Sequence, residues 1–186
     1  MPRLPERLEG DGLLIRRWLV EDAPAMQEAI AESADHLTPW SPFMTDEEPQ
    51  SLEQRRAMIE RWGQEWSGGG DVHLAVFSEG QVAGSCGLHR RRGPGVVEIG
   101  YWTHRAFLRR GIATAVARAL TGAAFSEAGI EIVEIRNDKG NKASAGVPRR
   151  LGFRLVEEAA NETPAPADRG VDCVWQMPRA AWRARS

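Results

Sequence analysis

Hydrophobic and polar positions follow two periods along this 186-residue chain, one of two residues and one of three to four residues. The first period, together with β-branched and aromatic runs, predicts strands. The predicted strands are 13–18, 72–77, 81–88, 96–103, 130–136, 153–157 and 171–177. The second period predicts four helices, which begin near residues 21, 51, 111 and 141.

The order of these elements is strand, two helices, three strands, helix, strand, helix and two strands. A strand, helix, strand unit in the middle implies parallel pairing there, whereas the hairpins imply antiparallel pairing elsewhere. The pattern therefore predicts a mixed α/β fold. At this length the simplest organisation is a single domain over residues 1–186, with a hydrophobic core of its own.

Charge and composition exclude several classes of protein. The formal net charge is −2 at pH 7, which gives no support for nucleic-acid binding. We find no signal peptide and no run of apolar residues long enough for a membrane helix, so a cytoplasmic location is expected. Cys86 and Cys173 have no partner motif and are expected to be reduced thiols. Cys86 and His89 have a metal-like spacing, but without a second pair no metal is expected.

A strand that turns directly into a helix at residues 98–114 carries the main chemical signal. Arg109, Arg110 and Gly111 stand where a Ser, Asp or Asn cap is expected, which leaves the first backbone N–H groups of the helix for an anion. The helix dipole and two guanidinium groups favour negative charge there, and Gly111 lets the main chain come close. The stretch predicts a phosphate cradle, with an ordinary strand-to-helix turn as the alternative. It matches neither the P-loop nor the dinucleotide fingerprint.

Motifs in and around the cradle resemble the GNAT family of acyl-CoA-dependent N-acyltransferases, and within it the ribosomal-protein alanine acetyltransferase (RimJ/RimL-like) branch. The first motif is Leu108-Arg109-Arg110-Gly111-Ile112-Ala113, which differs from that family's phosphate loop only at its first position. The others are Glu98-Ile99-Gly100-Tyr101-Trp102, Asn141-x-x-Ser144 and Leu151-Gly152-Phe153. The resemblance covers residues 13–178.

This resemblance implies a GNAT-like fold, with a central twisted mixed sheet of about seven strands and about four flanking helices. Two central parallel strands would splay apart and hold the pantetheine arm between them. The resemblance also implies acetyl-CoA as co-substrate. The cofactor-binding residues would then be Trp102, Thr103, Leu108, Arg109, Arg110, Gly111, Ile112, Ala113, Thr114, Asn141 and Ser144.

Acyl transfer to an amine needs a neutral amine, a polarised carbonyl and a proton for the leaving thiolate. Glu98 is the predicted base, because an apolar setting raises the pKa of a carboxylate. The alternative is a strand carboxylate paired with a neighbouring Arg. His104 is a second candidate for the base, but it is interpreted as a solvated loop residue.

Gly100 predicts a β-bulge that frees the N–H of Trp102 or its neighbour for the carbonyl. The alternative is a glycine that only lets a helix pack close.

The proton donor for the thiolate is assigned to Ser144. Many members of the resembled family carry a tyrosine where this chain has Pro148, which has no proton to give. Tyr101 lies on the opposite strand face from Glu98 and Trp102, so it is expected to point away from their pocket. Ser144 lies one helical turn before Pro148. The alternative is that its hydroxyl only bonds to the backbone.

An aromatic, proline-stiffened segment after the first helix is predicted to wall the acceptor pocket. Its candidates are His36, Trp40 and Phe43, because aromatic faces suit amines and peptide backbones. The alternative, given equal weight, is that these three side chains only cover the edge of the hydrophobic core.

The sequence thus predicts an acyl-CoA-dependent N-acyltransferase, most simply one that uses acetyl-CoA. A protein N-terminal amine and a small-molecule amine both stay open as acceptors. The rival is a non-catalytic CoA-binding or interaction module. No nucleic-acid or membrane partner is expected, and a homodimer is left open.

Overall fold

The computed structural model describes residues 6–41, 50–161 and 165–184. In these ranges it contains eight strands and five α-helices. The strands are β1 (Arg7–Gly10), β2 (Leu13–Arg17), β3 (Val72–Ser78), β4 (Gln81–His89), β5 (Val96–Thr103), β6 (Ile132–Asp138), β7 (Arg154–Ala160) and β8 (Val171–Pro178). The helices are α1 (Ala23–Leu37), α2 (Leu52–Gly68), α3 (Ile112–Ser126), α4 (Lys142–Leu151) and α5 (Arg179–Arg183). All predicted elements are present with ends shifted by a few residues, and β1 and α5 are additional.

The eight strands form one sheet in the order β1-β2-β3-β4-β5-β6-β8-β7. β5 and β6 run parallel, and the other neighbouring pairs run antiparallel. The parallel register ends at Ile99 and Ile135, although β5 continues to Thr103 and β6 to Asp138. The two central strands therefore diverge, as predicted, and leave a gap in the middle of the sheet.

Helices cover both faces of this sheet. Alternation along β3 sends Val76 to one face and Ala75 to the other. The first face packs against α3 and α4, where Leu120 is fully buried, and the second packs against α1 and α2 through Met26 and Ile59. Burying one such side chain contributes roughly 1.5–3 kcal/mol. These apolar stripes hold the helices in place on both sides of the gap.

The predicted bulge at Gly100 is wrong. β4 and β5 pair in continuous register through this residue, and the irregularities lie in the pairing of β3 with β4 and of β7 with β8. A Cβ on Gly100 would lie 3.1 Å from Nε2 of His89, so the glycine makes room for an imidazole ring that lies across the sheet. Close approach of the main chain occurs instead at Gly84, where a Cβ would lie 2.2 Å from the carbonyl oxygen of Trp102.

His104, interpreted from the sequence as a solvated loop residue, is in fact held in place, and so is the turn between β4 and β5. His104 is buried, its Nδ1 accepts from the N–H of Ala106 at 3.2 Å, and its Nε2 donates to Glu32 at 3.0 Å. This ring joins the end of β5 to α1. In the turn between β4 and β5, Arg90 donates twice to the carboxylate of Glu127, at 2.9 and 2.7 Å.

Both cysteines are buried free thiols, as expected. Burial raises the pKa of Cys86, so its thiol stays protonated and unreactive. In the ranges given above, no helix has the length and apolar character needed to cross a membrane.

Candidate active site

An open cleft of about 1040 Å³ occupies the gap between β5 and β6. Its walls come from the ends of these two strands, the start of α3, the first turn of α4, the segment after α1 and the start of β8. Small-molecule pockets typically measure about 300–1,000 Å³. The cleft is therefore large enough for an extended ligand with room for part of a second substrate.

One end of the cleft contains the start of α3, which the sequence predicts to be a phosphate cradle. Gly111 is the N-cap of α3, with a φ of 79° and no side-chain cap, and Arg109 also has a positive φ, 61°. The first intrahelical bond runs from the N–H of Thr114 to the Gly111 carbonyl at 3.0 Å, so the N–H groups of Ile112 and Ala113 have no intrahelical acceptor. Left-handed residues beside a helix start form a concave array of N–H groups that suits an anion.

The charges at this end differ in part from the prediction. Arg109 lines the cleft, but Arg110 does not, because its guanidinium lies over the ring of Phe107 at 5.1 Å from the centroid. Arg150, in the last turn of α4, lines the cleft and donates from Nε to Oγ1 of Thr114 at 3.2 Å. Arg150 was not predicted, because its place beside the cradle depends on how α4 packs against α3.

The middle of the cleft presents the backbone of β5. The Trp102 carbonyl points to Gly84 on β4, and alternation along the strand then turns the N–H groups of Tyr101 and Thr103 toward the gap. The neighbours of Trp102 therefore carry the N–H groups that a substrate carbonyl can reach. Trp102, Thr103 and Leu108, which belong to the predicted cofactor-binding set, all line the cleft.

Asn141 and Ser144 meet at the first turn of α4 and both line the cleft. Oδ1 of Asn141 accepts from the N–H of Ser144 at 3.0 Å, so Asn141 caps the helix. The expectation that Tyr101 points away from the site is wrong: it lies on the face opposite to Glu98, but the cleft is lined from both faces of the sheet, by Tyr101 on one and Trp102 on the other. Its hydroxyl donates to the Ser144 carbonyl at 3.4 Å, and burial raises the pKa of Tyr101 to about 12.

Glu98 is not among the residues that line the cleft. Its carboxylate lies 3.8 Å from Nε of Arg136 on β6, and Arg136 does line the cleft. This geometry matches the alternative of a strand carboxylate beside an Arg. The role of Glu98 as base stays a prediction.

The predicted acceptor wall lies at the other end of the cleft. His36 and Trp40 line it, and Nε2 of His36 forms a hydrogen bond with the carbonyl of Thr103 at 3.0 Å. Phe43 lies outside the described residues. The N–H of Ala167 donates to the Pro39 carbonyl at 2.9 Å. Two segments that are distant in sequence therefore enclose the acceptor end together.

The end of the cleft with His36 and Trp40, called the acceptor end after the predicted wall, also carries carboxylates that were not predicted from the sequence. Asp138, Asp168 and Asp172 all line it. Burial raises the pKa of Asp172, while Arg136 opposes that shift and the other two carboxylates add to it. Burial also raises the pKa of Asp168. The cleft is thus basic at the cradle and acidic at the acceptor end.

Asp138 differs from the other two because its carboxylate is engaged by the backbone. It accepts from the N–H groups of Gly140 at 2.6 Å, Arg169 at 2.9 Å and Val171 at 3.3 Å. Burial alone would raise the pKa of Asp138, but the backbone hydrogen bonds outweigh it and hold that pKa below its usual value. Asp138 therefore fixes the turn into α4 and the start of β8.

One group in the described ranges has the spacing of metal ligands, formed by Asp71, His73 and His89 with ligand atoms within 4.8 Å. It does not line the cleft. Asp71 is already engaged, since it accepts from Nδ1 of His89 at 2.8 Å and from the N–H of Arg90 at 2.9 Å. Burial lowers the pKa of His73 to about 4. The expected absence of a metal stays a prediction.

Comparison with known proteins agrees with this geometry. Residues 12–154 match the family model described as acetyltransferase (GNAT) domain. The putative ribosomal N-acetyltransferase YdaF of Bacillus subtilis (strain 168) is 31% identical to this chain over 147 residues, which cover 76% of this chain and 77% of that protein.

Solved structures share the fold over nearly the whole chain. A probable acetyltransferase superposes with a TM-score of 0.86 at 25% identity, covering 95% of this chain and 98% of the other. RimL, a ribosomal L7/L12 alpha-N-protein acetyltransferase solved in complex with coenzyme A, superposes with a TM-score of 0.83 at 19% identity, covering 96% and 98%. At that identity the second likeness shows the fold alone.

Proposed function

Because the chain belongs to the acetyltransferase (GNAT) family and is an N-acetyltransferase, we propose that it transfers the acetyl group of acetyl-CoA to the N-terminal α-amine of a ribosomal protein. The observation that carries the proposal is the opposite charge of the two ends of the cleft. Arg109 and Arg150 stand at the cradle, and Asp168 and Asp172 stand at the acceptor end. An anionic donor and a cationic amine would then enter from opposite ends and meet between β5 and β6.

The cradle is proposed to hold the phosphates of acetyl-CoA. The N–H groups of Ile112 and Ala113 would bind phosphate oxygens, and the helix dipole would add to this attraction. Arg109 and Arg150 would supply charge-assisted hydrogen bonds. Thr103, Leu108 and Asn141 line the route that the pantetheine arm would follow into the gap.

The acyl carbonyl is proposed to lie beside the free N–H groups of β5. A donor aimed at the oxygen where negative charge develops stabilises the transition state more than the ground state. Ser144 would then give a proton to the departing thiolate, directly or through water. Acetyl-CoA supplies the activated acyl group, and the protein supplies position, polarity and proton transfer.

The α-amine is a better acceptor than a lysine side chain for this cleft. Its ordinary pKa is about 7.7–8.0, against about 10.4 for Lys, so its neutral fraction near pH 7 is several-hundred-fold larger. The name of YdaF, putative ribosomal N-acetyltransferase, supports a protein acceptor over a small molecule. The reduced thiols Cys86 and Cys173 fit a cytoplasmic location, where ribosomal proteins are made.

The proposal is tested by measuring thiol release from acetyl-CoA with matched acceptors. The panel contains peptides with the N-terminal sequences of ribosomal proteins, the same peptides blocked at the α-amine but carrying a Lys, and small amines. We expect turnover with the free α-amine only, and a higher KM when the second or third peptide residue is Asp, because the acceptor end is acidic. Equal turnover with the blocked peptides or small amines would assign a different acceptor. CoA binding without turnover on any acceptor, intact ribosomal proteins included, would indicate the non-catalytic module.

A further inference from the structure

One carboxylate at the acceptor end has no task in the mechanism described so far. Asp172 is the second residue of β8 and lines the cleft. It lies opposite Asp138 of β6 in the strand register, beyond the point where β5 and β6 separate. Its side chain is 24% exposed, so a substrate can reach it.

The three carboxylates at this end differ in what they can still bind. Asp138 is engaged by three backbone N–H groups. Asp168 accepts through Oδ2 from Nδ2 of Asn161 at 3.2 Å and from the N–H of Ala165 at 2.9 Å, and its Oδ1 is buried. The carboxylate of Asp172 has no hydrogen bond to another residue in the described ranges. Its nearest cation, Nη1 of Arg136, is 4.0 Å away, which is too far for a hydrogen bond.

We propose that Asp172 takes the proton from the acceptor ammonium, so that the amine attacks in its neutral form. This inference rests on the proposed function. The N–H bond of the ammonium breaks and its proton passes to the carboxylate of Asp172. The nitrogen lone pair forms the C–N bond as the C–S bond breaks. The nitrogen then loses a second proton, and Ser144 passes a proton to the thiolate, so the thiol leaves in neutral form. Asp172 later releases the proton that it took from the ammonium to solvent through the open cleft.

The surroundings of Asp172 favour this role at neutral pH. The titratable and charged groups that share or flank this end of the cleft are His36 on α1, Glu98 on β5, Arg136 and Asp138 on β6, Asp168 before β8, and Glu158 on β7 with Lys139 bonded to it. Burial raises the pKa of Asp172 and neighbouring carboxylates add to this, while Arg136 opposes it. A carboxylate with a raised pKa is a stronger base than an ordinary one.

Asp172→Asn keeps the shape of the side chain and removes its basicity. We expect turnover to fall about 100-fold at pH 6.5, with the Kd for CoA within about twofold of the parent by calorimetry. The loss should shrink to a few-fold near pH 9, because there the α-amine is already neutral. The parent should keep its turnover at pH values well below the pKa of the amine. The turnover of the variant should instead rise with pH in proportion to the fraction of amine that is neutral.

Glu98→Gln is the matched comparison, because it alters a carboxylate on the same sheet face that does not line the cleft. We expect it to lower turnover by a smaller factor that does not vary with pH. A pH-dependent loss in Glu98→Gln instead of Asp172→Asn would overturn the proposal and restore Glu98 as the base. A pH-independent loss in Asp172→Asn would also overturn it, since that is the effect of a structural residue. If the parent itself acetylates no α-amine, the proposed function fails before this inference is reached.

Discussion

At the scale of single residues, two hydroxyl groups on the α4 side of the cleft compete for the role of proton donor. The Tyr101 hydroxyl already donates to the Ser144 carbonyl, whereas the Ser144 hydroxyl donates to no other described residue. We expect Ser144→Ala to lower turnover about 10-fold and Tyr101→Phe to stay within about threefold. Turnover at saturating substrates measures both. The reverse ranking would assign the acid to Tyr101 and leave Ser144 with a structural role.

Individual residues were predictable where their task is local. Gly111 and Asn141 act as caps, and a cap can be recognised from a few neighbouring residues. Tyr101 and Asp172 were placed wrongly or missed, because their position in the cleft depends on where β6, α4 and β8 lie. Strand alternation correctly assigned Tyr101 to the face opposite Glu98 but contained no information on where β5 and β6 separate, which is what lets the cleft take residues from both faces.

At the scale of elements, the start of α3 depends on the left-handed conformation of Gly111. A Cβ there would meet no atom within 4 Å, so a larger residue would change the backbone conformation without a steric clash. We expect Gly111→Val to weaken CoA binding at least about 10-fold, or 1.4 kcal/mol, because the N–H groups of the cradle would turn away. Calorimetry with CoA measures this.

Gly129 provides the matched control for this change. It has a φ of 91°, also with no atom within 4 Å of an added Cβ, and it follows the other end of α3. Gly129→Val imposes a similar backbone strain, about 1–2 kcal/mol, far from the cradle. We expect it to lower stability and leave the Kd for CoA unchanged. If both variants weaken CoA binding equally, the cradle is not the phosphate site.

The turn between β6 and α4 depends on Asp138. Because its folded-state pKa is lowered, its stabilising contribution is complete above the ordinary value of about 3.9 and is lost as the pH falls through the folded value. We expect Asp138→Asn to cost about 2 kcal/mol of unfolding free energy at pH 7. The difference should shrink below about pH 4.

Urea unfolding at pH 7 and at pH 3 measures this linkage. Asp35→Asn, at an exposed position on α1, is the control and should change stability by less than about 0.5 kcal/mol at either pH. An equal loss for Asp138→Asn at both pH values would show that shape, and not charge, carries the contribution of Asp138.

Elements were predictable where their hydrophobic period is long. The apolar stripe of α3 and the apolar residues of β2 and β3 follow from sequence because these elements bury them in the core. β1 and α5 were missed for the opposite reason: each is five residues or shorter, and β1 is mostly exposed and polar. The Gly100 bulge was wrong because a glycine in a strand also fits a neighbouring ring, and only the tertiary structure places His89 there.

At the scale of the whole molecule, the cleft is a product of the sheet topology and of contacts between distant segments. β5 and β6 separate after Ile99 and Ile135, and the hydrogen bond between Ala167 and Pro39 joins the segments that enclose the acceptor end. Charges of opposite sign are thereby separated along one channel. No local pattern in the sequence contains this arrangement, so the carboxylates at the acceptor end were not predicted, whereas the uncapped start of α3 was.

The same arrangement predicts that the two substrates can be perturbed separately. Trp40 lines the cleft on the acceptor side, far along the chain from the cradle residues. We expect Trp40→Ala to raise the KM of the acceptor about 10-fold, or 1.4 kcal/mol, since a large rigid aromatic surface would be lost. The KM of acetyl-CoA should change by less than about twofold. The two constants are separated by measuring initial rates while one substrate is varied and the other is kept at a saturating level.

Trp62 of α2 stacks on His73 outside the cleft, and Trp62→Ala is the matched control that should change neither KM. Equal increases in both constants for Trp40→Ala would show that Trp40 covers the edge of the core, and the acceptor would then have to bind elsewhere along the cleft.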